Sequence, residues 1–390
     1  MNFDLIRADT PALAGQHFLL SAGASLMPDP VVDAVIDHLR LEQRIGGYAA
    51  ADQEHARLDR VYDSIAALVN ADRDEIALLE NATAAWQMAF YAFEWKPGDR
   101  ILTGRAEYAA NYVAFLQTAK RHGVVIDIIP NDDFGATDPD ALRAMIDERV
   151  KLIALTWVPT NGGLTNPAAL IGAIANEAAI PYLLDACQAV GQMPVDVKAL
   201  GCDILTATGR KFLRGPRGTG FLYIRRGLLL QLEPPVIDHF AAPWTSTHGY
   251  TLRSDARRFE NWENSYANRL GLGAAADYAR AIGLEAIEAR CRALSGRLRS
   301  GLGELTNVTL HDLGRDQSAI VSFTLKDRSV REVLDAAAAA KIVIGASPPA
   351  STRLDSDARG LSYVLRASPH YFNQEADVDA LVALCARLGV

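Results

Sequence analysis

Short apolar runs rich in β-branched residues alternate with longer amphipathic stretches through the first two thirds of the chain. Residues 100–103, 124–129, 151–157, 182–185, 203–206 and 219–224 read as strands, and 83–93, 109–121, 139–148 and 167–177 between them read as helices. Strands of this kind that are apolar on both alternating faces and are spaced by helices predict βαβ units, hence a mainly parallel sheet with helices on both faces. The last two runs are joined without a helix, which predicts one antiparallel strand. Beyond Arg257 the pattern changes to an Ala/Leu/Arg-rich helical stretch over 267–302. Strands follow at 319–325, 342–344 and 362–366, with a closing helix from Glu375. The expected fold class is α/β. An N-terminal arm (1–15) leads into a large domain (16–260), followed by a smaller α+β domain (261–390), with a site between the two.

Composition narrows the class of protein. In 390 residues, 49% apolar and 22% charged, there is core material for two or so domains and no low-complexity segment. The net charge of −8 comes with no long Lys/Arg block, so no nucleic-acid partner is expected. Neither an apolar run long enough to span a bilayer nor a basic, then apolar, leading segment is present, which predicts no membrane association and a cytoplasmic location. Cys187, Cys202, Cys291 and Cys385 show no paired spacing and read as reduced thiols, and the histidines form no ligand cluster, so no metal is expected.

The chemistry sits at two strand ends. Lys211 lies on the turn Thr206-Ala207-Thr208-Gly209-Arg210-Lys211, beside Phe212 and Arg214, and Asp185 closes the apolar run Ile180-Pro181-Tyr182-Leu183-Leu184 upstream. Ligands of parallel sheets bind beyond the carboxyl ends of the strands. A lysine in a cation-rich, partly desolvated setting is the residue that forms a Schiff base. A carboxylate set against a pyridine nitrogen keeps that nitrogen protonated. The pair points to pyridoxal 5'-phosphate (PLP).

With these residues in place the chain resembles, over nearly its whole length, the class V aminotransferase family of PLP enzymes with fold type I, the cysteine desulfurase-like group. The resemblance is carried by Ser21-Ala22-Gly23-Ala24-Ser25, Glu80-Asn81-Ala82-Thr83, Ala106-Glu107-Tyr108, Asp185-Ala186-Cys187-Gln188, Thr208-Gly209-Arg210-Lys211, Arg258-Phe259-Glu260 and Leu365-Arg366-Ala367-Ser368. It implies a sheet of the seven-stranded type, and that Ala82 and Thr83 at a helix start, with Thr208 and Arg210, hold the cofactor phosphate. Gln188 would meet the phenolic oxygen, Tyr108 would stack where the desulfurases carry a histidine, and Arg366 would clamp the substrate α-carboxylate. Thr160 or Asn161 would complete the cofactor or substrate side; Gly46-Gly47-Tyr48 would reach a site or form a plain turn. A homodimer is implied as well.

Two departures bear on function. The region Ile344-Gly345-Ala346-Ser347-Pro348-Pro349 has no cysteine where desulfurases carry their mobile, sulfur-accepting one, which disfavours cysteine desulfurase. Asn261-Trp262-Glu263-Asn264-Ser265 replaces the Gly-Thr-Pro-Asn that would reach a partner's phosphate. Gly46-Gly47-Tyr48, Glu263-Asn264 with Ala267, and Arg366-Ala367-Ser368-Pro369-His370 are similar to hercynylcysteine sulfoxide lyases. The expected activity is therefore C–S cleavage in a cysteine-derived amino acid, with the substrate amine displacing Lys211 and the freed lysine taking the Cα proton. Transamination and epimerisation begin with the same proton loss and stay open, the latter through Pro159-Thr160-Asn161 and Gly163-Leu164, which resemble isopenicillin N epimerase-like proteins. A non-catalytic regulator on the same fold has no use for Lys211, Asp185 and Arg366 together.

Overall fold

The structure, a computed structural model, describes residues 1–389. Its central sheet has seven strands, β1 (Ile76–Leu79), β2 (Arg100–Thr103), β3 (Val125–Ile128), β4 (Val150–Thr156), β5 (Tyr182–Asp185), β6 (Ile204–Thr208) and β7 (Gly220–Ile224), in the order β1-β7-β6-β5-β4-β2-β3. Strands β2 to β6 are parallel, and β7 runs against both of its neighbours, β6 and β1. The antiparallel strand is thus the one expected from the helix-free connection. The edge strand β1 has no counterpart among the strands expected from the sequence.

Both faces of the sheet are covered, as the unbroken apolar runs require. Along β5, Tyr182 and Leu184 enter one core and Leu183 the other; along β4, Ile153 and Leu155 oppose Leu152 and Ala154 in the same way. Each such side chain contributes roughly 1.5–3 kcal/mol on burial, so a one-residue slip of register is strongly disfavoured. The helix Ala82–Phe90 follows β1 and is capped by Asn81, whose side-chain oxygen accepts from Ala84 N at 2.8 Å. The helix Ala109–His122 ends on Gly123 in the left-handed region, φ 70°.

A second, four-stranded sheet, entirely antiparallel, has β8 (Val308–Leu310), β9 (Val321–Leu325), β10 (Gly345–Ser347) and β11 (Val364–Ala367) in the order β8-β9-β11-β10. The helices Leu284–Gly303 and Glu375–Arg387 cover it and share its core. The single helical stretch expected over 267–302 is two helices, Tyr266–Ile282 and Leu284–Gly303, because Gly283 takes φ 96° and turns the chain between them. The first of the two packs on the helices Asp29–Ile45 and His55–Val69.

The two sheets are tied together by the N-terminal segment, where His17–Phe18 pairs in parallel with Ile342–Val343 and Ala22 N donates to Ser368 Oγ at 2.9 Å. Ala319, Ile320, Tyr371 and Phe372 also enter the core of the larger sheet. This places β11 and the residues after it against the carboxyl ends of β5 and β6. Among the described residues no helix is long and apolar enough to cross a membrane.

Candidate active site

Lys211 sits on an irregular turn between β6 and β7, and each carbonyl from Gly209 to Phe212 is held by a donor. Gly209 N donates to Thr219 O at 3.1 Å, and Gly215 N to Gly209 O at 2.7 Å. The carbonyls of Arg210, Lys211 and Phe212 accept in turn from Ser25 N at 2.8 Å, Arg214 N at 2.9 Å and His370 Nε2 at 2.6 Å. From below, Gly191 at φ 92° abuts the turn so closely that a Cβ there would lie 2.3 Å from Phe212 C and Leu213 N, leaving room for glycine alone. Burial pulls the Lys211 amine below the ordinary lysine range; Cys187 and Asp185 act against that shift, while Arg210 and Arg366 add to it.

Asp185, at the end of β5, is held from two sides. Asn111 Nδ2 donates to its Oδ2 at 3.0 Å and Cys187 N to its Oδ1 at 2.9 Å. Asn111 donates also to Glu107 at 2.8 Å. That buried carboxylate accepts in addition from Thr103 Oγ1 at 2.9 Å, Thr156 Oγ1 at 2.5 Å and Tyr108 N at 2.8 Å. Burial pushes Glu107 above the usual carboxylate range, and these donors oppose the shift. The network ties the end of β2, the end of β4 and the first turn of the helix Ala109–His122 to Asp185. Tyr108 caps that helix, and burial followed by the Asp185 charge raises its phenol, so it stays protonated.

Opposite, on β11, Arg366 lies across from Ser322 of β9 and Gly345 of β10. Its Nη1 donates at 2.6 Å to both the carbonyl and the hydroxyl of Thr160, whose hydroxyl also takes the Gln188 amide at 3.4 Å. Burial, then Arg210, brings Arg366 down to about 10. Thr160 therefore joins Arg366 and Gln188. Asn161 does not: its amide donates to Asp355 at 2.8 Å, a buried carboxylate already paired with Arg359, and this draws it away from Arg366.

The residues expected at a phosphate are less gathered. Ala82 and Thr83 open their helix with unpaired backbone N–H groups, and the close approach of Asn81 and Ala82 to Gly220 brings that N-terminus beside β7. The Thr208 hydroxyl donates instead to Thr219 O at 3.2 Å, and Arg210 reaches the carbonyl of Gly23.

Together these residues fit pyridoxal phosphate. A lysine amine is held below its usual basicity, a carboxylate is fixed at a strand end, and two arginines and a helix N-terminus supply donors and positive charge suited to an anion. Gln188 Oε1 and Arg366 Nε are buried without a partner among the described residues, polar atoms that the chain itself leaves open. The sequence reading gave no role to Glu107, Asn111 or His370. The Glu107 to Asn111 spacing of one helical turn was a usable signal; nothing local marks His370.

The fold and this cleft define a PLP-dependent enzyme of fold type I. The chain belongs to the aminotransferase class-V family, whose profile matches residues 17–381. A probable cysteine desulfurase of Methanothermobacter thermautotrophicus is 27% identical over 389 residues, covering 98% of this chain and 96% of that protein. A cysteine desulfurase of Yersinia pestis is 30% identical over 409 residues, covering 100% and 99%. The solved cysteine desulfurase CsdA of Escherichia coli superposes with a TM-score of 0.91 at 26% identity, covering 99% of this chain and 98% of that one.

Proposed function

We propose that this chain cleaves the C–S bond of a cysteine-derived amino acid by β-elimination. The observation that carries the reading is the nearness of Asp185 and Arg366 to Lys211, whose charges both act on its amine, together with the segment Ile344 to Pro349, which pairs with Arg366 through Gly345 and carries no thiol. The relatives named cysteine desulfurases support cysteine as the parent of the substrate. The missing thiol separates this chain from sulfur transfer to a protein cysteine at that segment and leaves direct loss of the sulfur group.

Pyridoxal phosphate, when bound, supplies the sink for the electron pair left as the Cα–H bond breaks. Arg366 takes the substrate α-carboxylate, with Nε free and Nη1 able to leave Thr160, and so aims Cα at Lys211. Lys211, its amine drawn below the ordinary range by burial, takes the Cα proton on Nζ. Asp185, fixed by Asn111 and the Cys187 amide, would pair with the protonated ring nitrogen. Tyr108 and Gln188 would hold the ring and its phenolic oxygen. Ala82, Thr83, Thr208 and Arg210 would hold the phosphate. The Cβ–S bond then breaks, the sulfur leaves as a thiol or its oxidised equivalent, and the released enamine hydrolyses to pyruvate and ammonia.

An S-substituted cysteine given to the purified holoenzyme should yield pyruvate, ammonia and the sulfur fragment in equal amounts with no added keto acid. Product formed only when an amino acceptor is present would overturn the elimination in favour of transamination.

The chain is also proposed to work as a homodimer. Tyr48 and Trp262 stand exposed and line one surface hollow beyond the end of the helix Asp29–Ile45, a feature of the kind that a second copy covers. Light scattering giving a monomer near 42.2 kDa at full activity would contradict this. Four free cysteines without a disulfide support a reducing, cytoplasmic setting.

A further inference from the structure

The carbonyl of Phe212, the residue after Lys211, is held by a side chain from the far end of the sequence. His370 is fully buried; its Nε2 lies 2.6 Å from Phe212 O and its Nδ1 3.3 Å from Cys291 Sγ. A carbonyl can only accept, so Nε2 carries the ring proton, and Nδ1 accepts from the Cys291 thiol. Burial raises that thiol, which keeps its proton available for the bond. The imidazole also stands edge-on to the Phe212 ring, with centroids 5.1 Å apart at 85°.

The carbonyls of Gly209, Arg210 and Lys211 accept from the backbone N–H groups of Gly215, Ser25 and Arg214. His370 is the one side-chain donor among these four ties. It lies four residues after Arg366, past Ala367, the last residue of β11, and Ser368 N in between is pinned to Leu19 O at 2.8 Å. One short, hydrogen-bonded segment therefore carries both the arginine proposed for the substrate carboxylate and the group that grips the lysine turn.

We propose that His370 is a positioning residue: through Phe212 it sets the distance and direction of the Lys211 amine relative to Arg366. The inference rests on Lys211 acting as cofactor anchor and base. Transfer of a proton to Lys211 from a Cα aimed by Arg366 on the other sheet depends steeply on the separation, and a misplacement of about 1 Å can cost about 100-fold. His370 fixes that separation without touching substrate or cofactor.

The test compares His370→Gln, which keeps an N–H donor near the Nε2 position, with His370→Asn, whose donor falls short, and His370→Ala. Each holoenzyme is followed by the pH midpoint of the cofactor's near-visible absorbance band, by kcat and KM, and by thermal unfolding. Expected are a fall in kcat of roughly 10-fold to 100-fold in the Ala and Asn variants with KM within about twofold, a shifted midpoint, and recovery of most of both in the Gln variant. Should the Ala variant fail to fold, the Gln and Asn pair carries the same comparison. Equal kcat in Gln and Asn variants, or an unmoved midpoint with only a lowered unfolding temperature, would reduce His370 to core packing and overturn the proposal. The Lys211 assignment fails separately: in that case the wild-type band is absent, or it persists in Lys211→Ala.

Discussion

The two ends of the cofactor cleft are built differently. At the ring end, Asp185 already has Asn111 and the Cys187 amide in place, and Glu107 behind it collects four donors from three elements. At the phosphate end, Thr208 and Arg210 are turned onto backbone carbonyls, and the N–H groups of Ala82 and Thr83 have no intrahelical partner. A ring carboxylate must hold one proton in one direction, and burial makes an unsatisfied carboxylate costly, so the chain completes its surroundings before any ligand arrives. A dianion brings its own acceptors and can recruit donors from weaker partners. The ring end is preorganised, whereas the phosphate end is finished by what binds there.

Lys211 stands between the ends, and its removal is the largest break. Lys211→Ala should lower turnover by 10³-fold or more, since anchor and base are lost together, as measured by pyruvate release at saturating substrate.

The next effect comes from acid. Burial lowers His370 to about 3, with the Arg214 charge second and the Phe212 carbonyl opposing. An unfolded histidine takes its proton near 6.5, so as the pH falls from there the unfolded chain binds a proton that the folded one refuses. The associated stability is whole above about 6.5 and declines by roughly 4 kcal/mol on approaching pH 3. Urea unfolding between pH 7 and 4 should show this slope in the wild type and a flatter one in His370→Gln. Parallel slopes would mean that the imidazole takes its proton while still folded.

The same contrast governs what could be read from the sequence. Strands β5 and β6 were legible because their largely apolar runs end on a chemical landmark, Asp185 and the Lys211 turn. Strand β1 was not: Ile76–Leu79 is short and follows the polar turn Arg73–Glu75. Its identity as a strand comes from pairing with β7. Gly283 was passed over because an Ala/Leu/Arg-rich stretch on both sides keeps helical periodicity through it. At the site, Asp185 and Arg366 lie near Lys211, and Thr160 joins Arg366 to Gln188. Asn161 turns to Asp355, a partner 194 residues away. Asn111 and His370 act through Asp185 and Phe212, contacts that exist only once the sheet has closed.

Asn111 is the sharpest probe of the preorganised end. Asn111→Ala removes one donor from Asp185 and one from Glu107, leaving two buried carboxylates short of a partner. Turnover should fall by about tenfold, equivalent to about 1.4 kcal/mol, with the cofactor dissociation constant changed less. A larger change in cofactor affinity than in kcat would show that the ring end is also assembled by the ligand.

Thr208 probes the other end, with the smallest effect. In the chain alone its hydroxyl donates to Thr219 O, which also accepts from Gly209 N at 3.1 Å, so that carbonyl keeps a partner when the hydroxyl leaves. A hydrogen bond to a charged phosphate is worth about 1.5–3 kcal/mol and a neutral one about 0.5–1.5. Rotation toward the phosphate thus gains on the order of 1 kcal/mol. Thr208→Val should weaken cofactor binding about fivefold, measured by equilibrium dialysis, and should alter the stability of the cofactor-free chain by about 1 kcal/mol or less. An unchanged dissociation constant would mean that the hydroxyl stays on Thr219, and the phosphate would then be held by Arg210 and the helix N-terminus without it.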